Sequence, residues 1–345
     1  MNADLRATAA AMVAPGKGIL AADESVATAT KRLNGVGVES TADTRRTYRQ
    51  LLLTTPSLAT MVSGVILFDE TLRQSTSDGV PIPALLGDLG VLPGIKVDTG
   101  AKPLAGHPGE TVTEGLDGLR ERIVEYVSLG ARFAKWRAVI AVGDGLPTAG
   151  CVAANAHALA RYAALCQEGG LVPIVEPEVL MDGDHTIGRC EEVTTSVLRA
   201  VFAELAAQRV DLEAMVLKPN MVLSAKLCLD RAEPAEVAEA TLRSFRQVVP
   251  AAVPGVAFLS GGQTPEEATA NLDAVNRQAG DAPWALTFSF GRALQDRALD
   301  AWRGEADNVD VAQEALFHRT KMNSAAARGA YSADMETVGM ATVVL

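Results

Sequence analysis

Aromatic side chains and positive charge are both scarce in this chain. Only 4% of the 345 residues are aromatic, whereas 48% are hydrophobic, so Ala, Val and Leu must supply most of the core. The 31 basic residues against 42 acidic ones give a formal net charge of −11. That balance argues against a general nucleic-acid-binding or membrane-surface protein, although it allows a local basic pocket.

Cysteine is also scarce, and long apolar runs are missing. The spacing of the four cysteines predicts neither a disulfide framework nor a zinc site, because no C-x-x-C pair occurs; they are Cys151, Cys166, Cys190 and Cys228. No apolar run approaches about 20 residues, and the N-terminus carries no apolar segment typical of a signal peptide. We therefore expect a cytoplasmic protein with no membrane partner.

The histidines do not form a ligand set. The four of them are far apart in the sequence, and no two have the spacing that places both on one helix face; they are His107, His157, His185 and His318. We therefore expect no metal site and no cofactor.

What the chain does contain is a regular alternation of apolar runs and helical patterns. Eight apolar runs are centred near residues 20, 66, 96, 135, 174, 216, 258 and 287. Helical segments lie between most of them, and the capping-box sequence Thr264-Pro-Glu-Glu267 predicts the start of one. Strands that alternate with helices predict parallel β/α units. Eight such units fit a closed (β/α)8 (TIM) barrel of about 250 residues before additions.

The remaining residues are predicted to form extra N-terminal helices and a C-terminal tail over residues 328–345. No linker rich in Pro, Gly or Ser divides the chain, so residues 1–345 are predicted to be one domain. The alternative is an open doubly wound sheet, which ranks lower because no G-x-G-x-x-G follows the first apolar run.

Lys218 is the central candidate residue. It follows Ala214 to Leu217, which read as a buried strand, and Pro219 ends the ladder after it. A buried ammonium must be paired or must lose its proton, and an uncharged amine is a nucleophile for a carbonyl carbon. The alternative is a lysine that extends to the surface from the end of a strand.

Polar residues, in places together with glycines, lie at the ends of most of the other apolar runs as well. Each of them could be structural, but the ends of barrel strands meet at one mouth, so together they predict one catalytic pocket. With Lys218, these residues are Asp23, Lys96, Lys135, Arg137, Glu176, Glu178, Ser260, Gly261, Gly262, Ser289, Gly291 and Arg292.

The residues suggest distinct roles around a Schiff base. Lys135 is expected to lower the pKa of Lys218 by like-charge repulsion, in addition to the effect of burial. Glu176 is the candidate acid and base for loss of water from a carbinolamine. Crowding by Glu178 would raise one carboxyl pKa, and the lysines would oppose that effect. Asp23 is a second base or a group that orients a substrate hydroxyl.

An anion-binding site is predicted at the last two strand ends. Ser260-Gly261-Gly262 is predicted to present backbone N–H groups to an oxyanion, and barrels often bind phosphate after strands seven and eight. Arg292 would add a bidentate contact.

Taken together, the motifs resemble those of class I fructose-bisphosphate aldolase, the metal-independent, Schiff-base type. The resemblance runs from about Gly16 to about Ala330. Its landmarks are Gly16-Lys-Gly-Ile-Leu-Ala-Ala-Asp-Glu-Ser25, Gly64-Val-Ile-Leu-Phe68, Gly94-Ile-Lys-Val-Asp98, Phe133-Ala-Lys-Trp-Arg137, Pro173-Ile-Val-Glu-Pro-Glu178, Leu217-Lys-Pro-Asn-Met221, Phe258-Leu-Ser-Gly-Gly262 and Trp284-Ala-Leu-Thr-Phe-Ser289.

The resemblance implies roles for named residues in reversible cleavage of fructose 1,6-bisphosphate to dihydroxyacetone phosphate and glyceraldehyde 3-phosphate. Lys218 would form the imine with the ketose C2, and Glu176 would be the main acid and base, with Glu178 and Lys135 tuning the site. Asp23 would help to remove the C4 hydroxyl proton. The C1 phosphate would bind Ser260, Gly261, Gly262, Ser289 and Arg292. The C6 phosphate would lie near Ser25, Lys31, Arg32, Lys96 and Arg137.

The resemblance also implies a (β/α)8 barrel, usually a homotetramer in the cytosol. One feature departs from the family pattern. Eukaryotic members end in a tyrosine that helps proton transfer at the enamine, whereas this chain ends Thr342-Val-Val-Leu345 and its last tyrosine is Tyr331. The preference between fructose 1,6-bisphosphate and fructose 1-phosphate therefore stays open.

Two other functions are compatible with parts of the pattern. A Schiff-base lyase for a different phosphorylated sugar would keep Lys218 and change the contacts to C6. A scaffolding protein with a vestigial site would lack a catalytic residue, and Asp23, Lys135, Glu176 and Lys218 are all present.

Overall fold

The computed structural model describes residues 2–337, and its main feature is a closed barrel of eight parallel strands within them. The strands of the described part are β1 (Gly18–Ala22), β2 (Val62–Leu67), β3 (Leu92–Lys96), β4 (Gly100–Pro103), β5 (Thr111–Glu114), β6 (Phe133–Ile140), β7 (Val172–Val179), β8 (Val216–Leu217), β9 (Gly255–Phe258) and β10 (Ala285–Phe290). The barrel order is β1-β2-β3-β6-β7-β8-β9-β10, and β4 and β5 form a separate antiparallel pair.

Within the described residues, helices precede, connect and follow the barrel strands. They are α1 (Asn2–Met12), α2 (Val26–Gly35), α3 (Ala42–Leu53), α4 (Asp69–Leu72), α5 (Ile82–Asp88), α6 (Leu119–Ser128), α7 (Ala149–Gly169), α8 (Ile187–Ala207), α9 (Pro234–Val248), α10 (Pro265–Gln278), α11 (Arg292–Trp302) and α12 (Val309–Ala326). The capping box at Thr264 and Glu267 is present at the start of α10. Among residues 2–337, no helix has both the length and the apolarity to cross a membrane.

The predicted (β/α)8 barrel is confirmed, and the open-sheet alternative is wrong. The first strand pairs with β2 on one side and with β10 on the other, so the sheet has no edge. A closed sheet of this kind directs the carboxyl ends of all its strands toward one mouth.

The inside of the barrel has an apolar layer beneath a charged one. Side chains alternate between the two faces of a strand, so a residue two positions beyond an inward apolar one also points inward. Lys135 follows Phe133 in this way, and Lys218 follows Val216. Helix α1 packs against the apolar layer at the opposite end. Together, α1 and this layer form one cluster, which comprises Leu5, Ala9, Met12, Val13, Ile19, Ala21, Ile66, Phe133, Val172, Ile174, Ala214, Val216 and Ala257.

Two glycines make room for the largest side chain in that layer. A Cβ atom at Gly94 would lie 2.2 Å from Phe133, and one at Gly64 would lie 2.9 Å from the same ring. The neighbouring strands can therefore approach Phe133 closely only because these positions have no side chain.

The strand before Lys218 is shorter than predicted. Ala214 was expected to start it, but Leu212–Ala214 form a 3₁₀ turn and β8 covers only Val216–Leu217. The Asp211 side chain accepts a hydrogen bond from Glu213 N at 3.1 Å, which favours the turn over an extended conformation. The amide of Lys218 still donates to Val175 O at 2.8 Å, so the lysine stays in register with β7.

The segment predicted as a C-terminal tail is described as far as residue 337. It contains a 3₁₀ turn at Ala333–Glu336. The chain end, Thr342 to Leu345, lies outside the described residues.

Candidate active site

A cavity of about 910 Å³ opens at the carboxyl ends of the barrel strands. Every predicted site residue except Gly262 lines it; those that do are Asp23, Ser25, Lys31, Arg32, Lys96, Lys135, Arg137, Glu176, Glu178, Lys218, Ser260, Gly261, Ser289, Gly291 and Arg292. The arrangement is one pocket rich in both cations and carboxylates, as the strand-end pattern predicts.

Lys218 lies at the base of this cavity and is almost fully enclosed. Only 3% of the residue is exposed, and its Nζ lies 3.2 Å from Glu176 Oε1. Burial lowers the pKa of Lys218, because an ammonium is poorly solvated there, and the Lys135 ammonium lowers it further. The carboxylates of Glu176 and Asp23 oppose the shift without reversing it. The amine is therefore easier to deprotonate than an ordinary lysine.

Lys135 is about as buried as Lys218, but its pKa is shifted in the opposite direction. Its Nζ lies 2.7 Å from Asp23 Oδ2 and 3.3 Å from Glu176 Oε2. Burial alone would lower the pKa of Lys135, but these two carboxylates outweigh it and raise the pKa. Lys135 thus remains a cation, and its charge lowers the pKa of the neighbouring Lys218 amine. The two lysines share one pocket, but their different carboxylate neighbours move their pKa values apart.

Glu176 and Asp23 are kept ionised by the two lysines. Burial would raise the pKa of each carboxyl group, but Lys135 and Lys218 more than offset it, so both pKa values are lowered. Glu176 contacts both ammonium groups, one with each oxygen. It is placed to exchange a proton with the Lys218 nitrogen or with a group attached to it.

Glu178 does not crowd Glu176 in the way the sequence led us to expect. Its carboxylate pairs closely with Arg137 Nε, which neutralises it. The carboxylate that acts to raise the pKa of Glu176 is instead Asp23. The side chains of Arg137 and Glu178 project from adjacent strands, where Val139 is in register with Glu178.

The side of the cavity formed by β9 and β10 offers hydrogen-bond donors. The Ser289 hydroxyl is buried and has no hydrogen-bond partner among residues 2–337. Gly291 lines the cavity and is the N-cap of α11, and no side chain of the described residues caps that helix. Arg292, at the start of α11, is exposed at the rim. A helix N-terminus with a nearby hydroxyl and guanidinium suits an anion.

Gly262 shapes the β9 loop from outside the cavity. Its φ of +81° is unfavourable for residues with a side chain, and a Cβ there would lie 2.4 Å from Met181. Gly261 does line the cavity, where its backbone passes so close to Glu178 that a Cβ would lie 2.8 Å from Oε1. Gly262 is therefore needed for the turn, and Gly261 allows the backbone to pass close to Glu178.

Another part of the cavity wall is formed by the start of α2 and the end of β3. Ser25 caps α2 by accepting a hydrogen bond from Thr28 N at 3.3 Å. Lys31 is exposed, whereas Lys96 is held 2.8 Å from Asp98 Oδ1. Arg32 is paired as well, with Glu24 and with Asp296 of α11.

Sequence reasoning missed the carboxylates that hold these cations. Asp98 positions Lys96, and Glu24 and Asp296 position Arg32. Glu24 was adjacent to Asp23 and Asp98 was two residues from Lys96, so proximity to predicted residues was the available signal. For Asp296, the only available signal was its position four residues, or about one helical turn, after the predicted residue Arg292. Within the described residues, no three His, Cys, Asp or Glu side chains are grouped to hold a metal ion.

Comparison with known proteins identifies the family. A family model described as "Fructose-bisphosphate aldolase class-I" matches residues 4–344. The chain belongs to the class I fructose-bisphosphate aldolases. The resemblance drawn from the motifs is thereby confirmed, and the protein is a lyase that acts on a sugar phosphate.

Individual class I aldolases are similar over nearly the whole chain. A probable fructose-bisphosphate aldolase class 1 of Xanthomonas campestris pv. campestris is 58% identical over 94% of this chain and 97% of its own length. Fructose-bisphosphate aldolase C of Mus musculus is 53% identical over 93% of this chain and 88% of its own. The solved aldolase of Plasmodium falciparum, crystallised with TRAP and a small-molecule inhibitor, has a TM-score of 0.94 at 48% identity, covering 96% of this chain and 95% of that one.

Proposed function

We propose that this aldolase works through an imine on Lys218 and that the surrounding residues act in the roles the sequence predicts. The observation that carries the proposal is the contact of Lys218 Nζ with Glu176 Oε1 at 3.2 Å, at the base of the cavity, with the pKa of the lysine lowered. A deprotonated amine attacks the C2 keto carbon of fructose 1,6-bisphosphate, and the resulting carbinolamine loses water. Glu176 transfers the protons that this dehydration requires.

The carbon–carbon bond then breaks because the protonated imine accepts its electrons. Asp23 takes the proton of the C4 hydroxyl, the C3–C4 bond cleaves, and glyceraldehyde 3-phosphate leaves. The electron pair remains on the lysine-bound fragment as an enamine. Protonation of C3 and hydrolysis of the imine release dihydroxyacetone phosphate and restore the amine. Lys135, 2.7 Å from Asp23, stabilises the negative charge of that base while it is ionised.

Two phosphate contacts position the substrate across the cavity. Three features support binding of the C1 phosphate at β9 and β10, beside Ser260 and Gly261. They are the N-terminus of α11 without a side-chain cap, the Ser289 hydroxyl without a hydrogen-bond partner among residues 2–337, and exposed Arg292. The C6 phosphate is assigned to the part of the cavity wall that carries Ser25, Lys31, Arg32, Lys96 and Arg137. Contacts remote from the reacting bond hold C2 near Lys218 and so supply catalytic binding energy.

Trapping of the imine tests the assignment directly. Borohydride reduction in the presence of dihydroxyacetone phosphate is expected to give a stable adduct at Lys218, located by peptide mass spectrometry. An adduct at Lys135 or Lys96 instead would show that the wrong amine has been chosen.

We also propose a cytoplasmic homotetramer built from single-domain chains, as the family resemblance implies. Light scattering after size-exclusion chromatography tests the assembly, and a mass near four times 36.1 kDa is expected. A mass of one or two chains at micromolar concentration would contradict it.

A further inference from the structure

Arg32, assigned above to the C6 phosphate, already has three acidic or polar partners. Its Nη1 contacts Glu24 Oε1 closely and donates to Gln295 Oε1 at 3.1 Å, while Nη2 donates to Asp296 Oδ1 at 3.0 Å. One positive charge is thus shared between two carboxylates. A phosphate that approaches this guanidinium must therefore compete with a carboxylate that already holds one of its N–H groups.

The three partners are not equally fixed. Gln295 is fully buried, and its Nε2 donates to Ala21 O at 2.6 Å. The Glu24 side chain is 12% exposed and is also paired with Arg49 at 2.7 Å. The Asp296 side chain is 47% exposed, and Arg32 is the only group with which it forms an ion pair among residues 2–337. Asp296 is therefore the partner that can leave with the least loss.

We propose that Asp296 is a counter-ion that the second phosphate of the substrate displaces from Arg32, and that it thereby limits the preference for the bisphosphate over fructose 1-phosphate. The inference rests on the proposed function, since it assumes that Arg32 binds the C6 phosphate. Glu24 and Gln295 keep the guanidinium in place, and Asp296 occupies its outward edge until the phosphate arrives. Exposed Lys31, on the preceding position of α2, is not ion-paired within the described residues and adds attraction for the incoming anion.

The chain offers a matched control on the same helix. Asp300 is exposed, lines the same cavity one turn further along α11, and makes no ion pair with Arg32. The variants Asp296→Asn and Asp300→Asn remove the same charge from the same rim. Comparing them separates loss of the Arg32 contact from a general reduction of negative potential.

The experiment measures kcat and KM for both substrates in wild type and the two variants. Asp296→Asn is expected to lower KM for fructose 1,6-bisphosphate by about two- to fivefold, the range for loss of a half-exposed competing ion pair. KM for fructose 1-phosphate, which has no second phosphate, should not change. An equal effect of Asp300→Asn, or a rise in KM for the bisphosphate in Asp296→Asn, would overturn the proposal.

The variant Arg32→Ala, alone and combined with Asp296→Asn, tests the C6-phosphate assignment separately from the inference about Asp296. A selective rise in KM for the bisphosphate supports the C6 assignment, and Asp296→Asn should then give no further benefit in the Arg32→Ala background. If Arg32→Ala affects both substrates alike, the C6 assignment fails and the inference about Asp296 fails with it. If Arg32→Ala is selective but Asp296→Asn matches Asp300→Asn, only the inference about Asp296 fails.

Discussion

At the scale of single residues, the site depends on two buried lysines that differ in their carboxylate neighbours. Lys218 contacts one carboxylate and its pKa is lowered, whereas Lys135 contacts two and its pKa is raised. The sequence indicated both lysines because charged residues follow several successive strands, and the ends of barrel strands meet at one mouth. It did not show which carboxylate each would contact, since Asp23 and Lys135 are brought together only by barrel closure.

Replacing the nucleophile should remove activity and increase stability. In Lys218→Met, kcat is expected to fall by about 10³-fold or more, because no other group forms the imine. A lysine with a lowered pKa costs folding free energy at neutral pH, since the unfolded chain binds the proton more readily. Methionine of similar volume should therefore raise Tm by about 1–4 °C, as measured by differential scanning calorimetry. A lower Tm would mean that the Lys218–Glu176 contact stabilises the fold overall.

Replacing Glu176 should change how the stability of the fold depends on pH. Because its pKa is lowered in the folded protein, it stabilises the fold above its ordinary value of 4.5, and this contribution is lost as the pH falls through the lower folded value. Glu176→Gln leaves two buried ammonium groups with less negative charge, so the free energy of unfolding at pH 7 should fall by about 3 kcal/mol. Below pH 4.5 the variant should lose stability less steeply than wild type.

Urea midpoints at a series of pH values test this expectation. The variant Glu121→Gln, at an exposed position on α6, is the control and should keep the wild-type profile. Parallel acid profiles for Glu176→Gln and wild type would show that Glu176 has the same pKa in the folded and unfolded states.

At the scale of secondary-structure elements, apolar periodicity predicted the barrel strands and the long helices but missed the polar elements. The hairpin of β4 and β5 and the helix α2 were not predicted. Most residues of β4 are exposed, and α2 buries only Ala29 and Leu33, so neither has a strong apolar pattern. These elements are fixed by caps and by contacts with the rest of the barrel.

Close packing between β3 and β6 provides a test at this scale. In Gly94→Ala, the new methyl would lie 2.2 Å from the Phe133 ring, which overpacks the barrel interior. The free energy of unfolding is expected to fall by about 1–3 kcal/mol. Gly87→Ala is the control, since its methyl meets no atom within 4 Å and replaces glycine within α5, which should raise stability by up to about 1 kcal/mol. Equal effects of the two variants would contradict the packing argument.

At the scale of the whole molecule, stability and chemistry occupy opposite ends of the barrel. Helix α1 packs against the apolar layer at one end, and the charged cavity opens at the other. Substitutions in α1 should therefore affect folding and leave catalysis unchanged.

Met12 tests this separation because it is fully buried beneath the barrel. Met12→Ala is expected to lower the free energy of unfolding by about 2–5 kcal/mol through lost contacts and a cavity. The value of kcat/KM for the folded enzyme should stay within about twofold of wild type. Val124→Ala, at a position that is 66% exposed on α6, should alter neither property. A large fall in kcat/KM for Met12→Ala would show that the two ends are coupled.

The sequence by itself determined the alternation of strands and helices and the identity of the groups at the strand ends, because burial periodicity and residue chemistry are local properties. Only the tertiary structure decided which cations are neutralised and which remain available. Arg32 and Asp296 are separated by 264 positions in the chain, and their contact depends on closure between the first and last strands. Charge pairing across a closed barrel follows from its register, which no local pattern encodes.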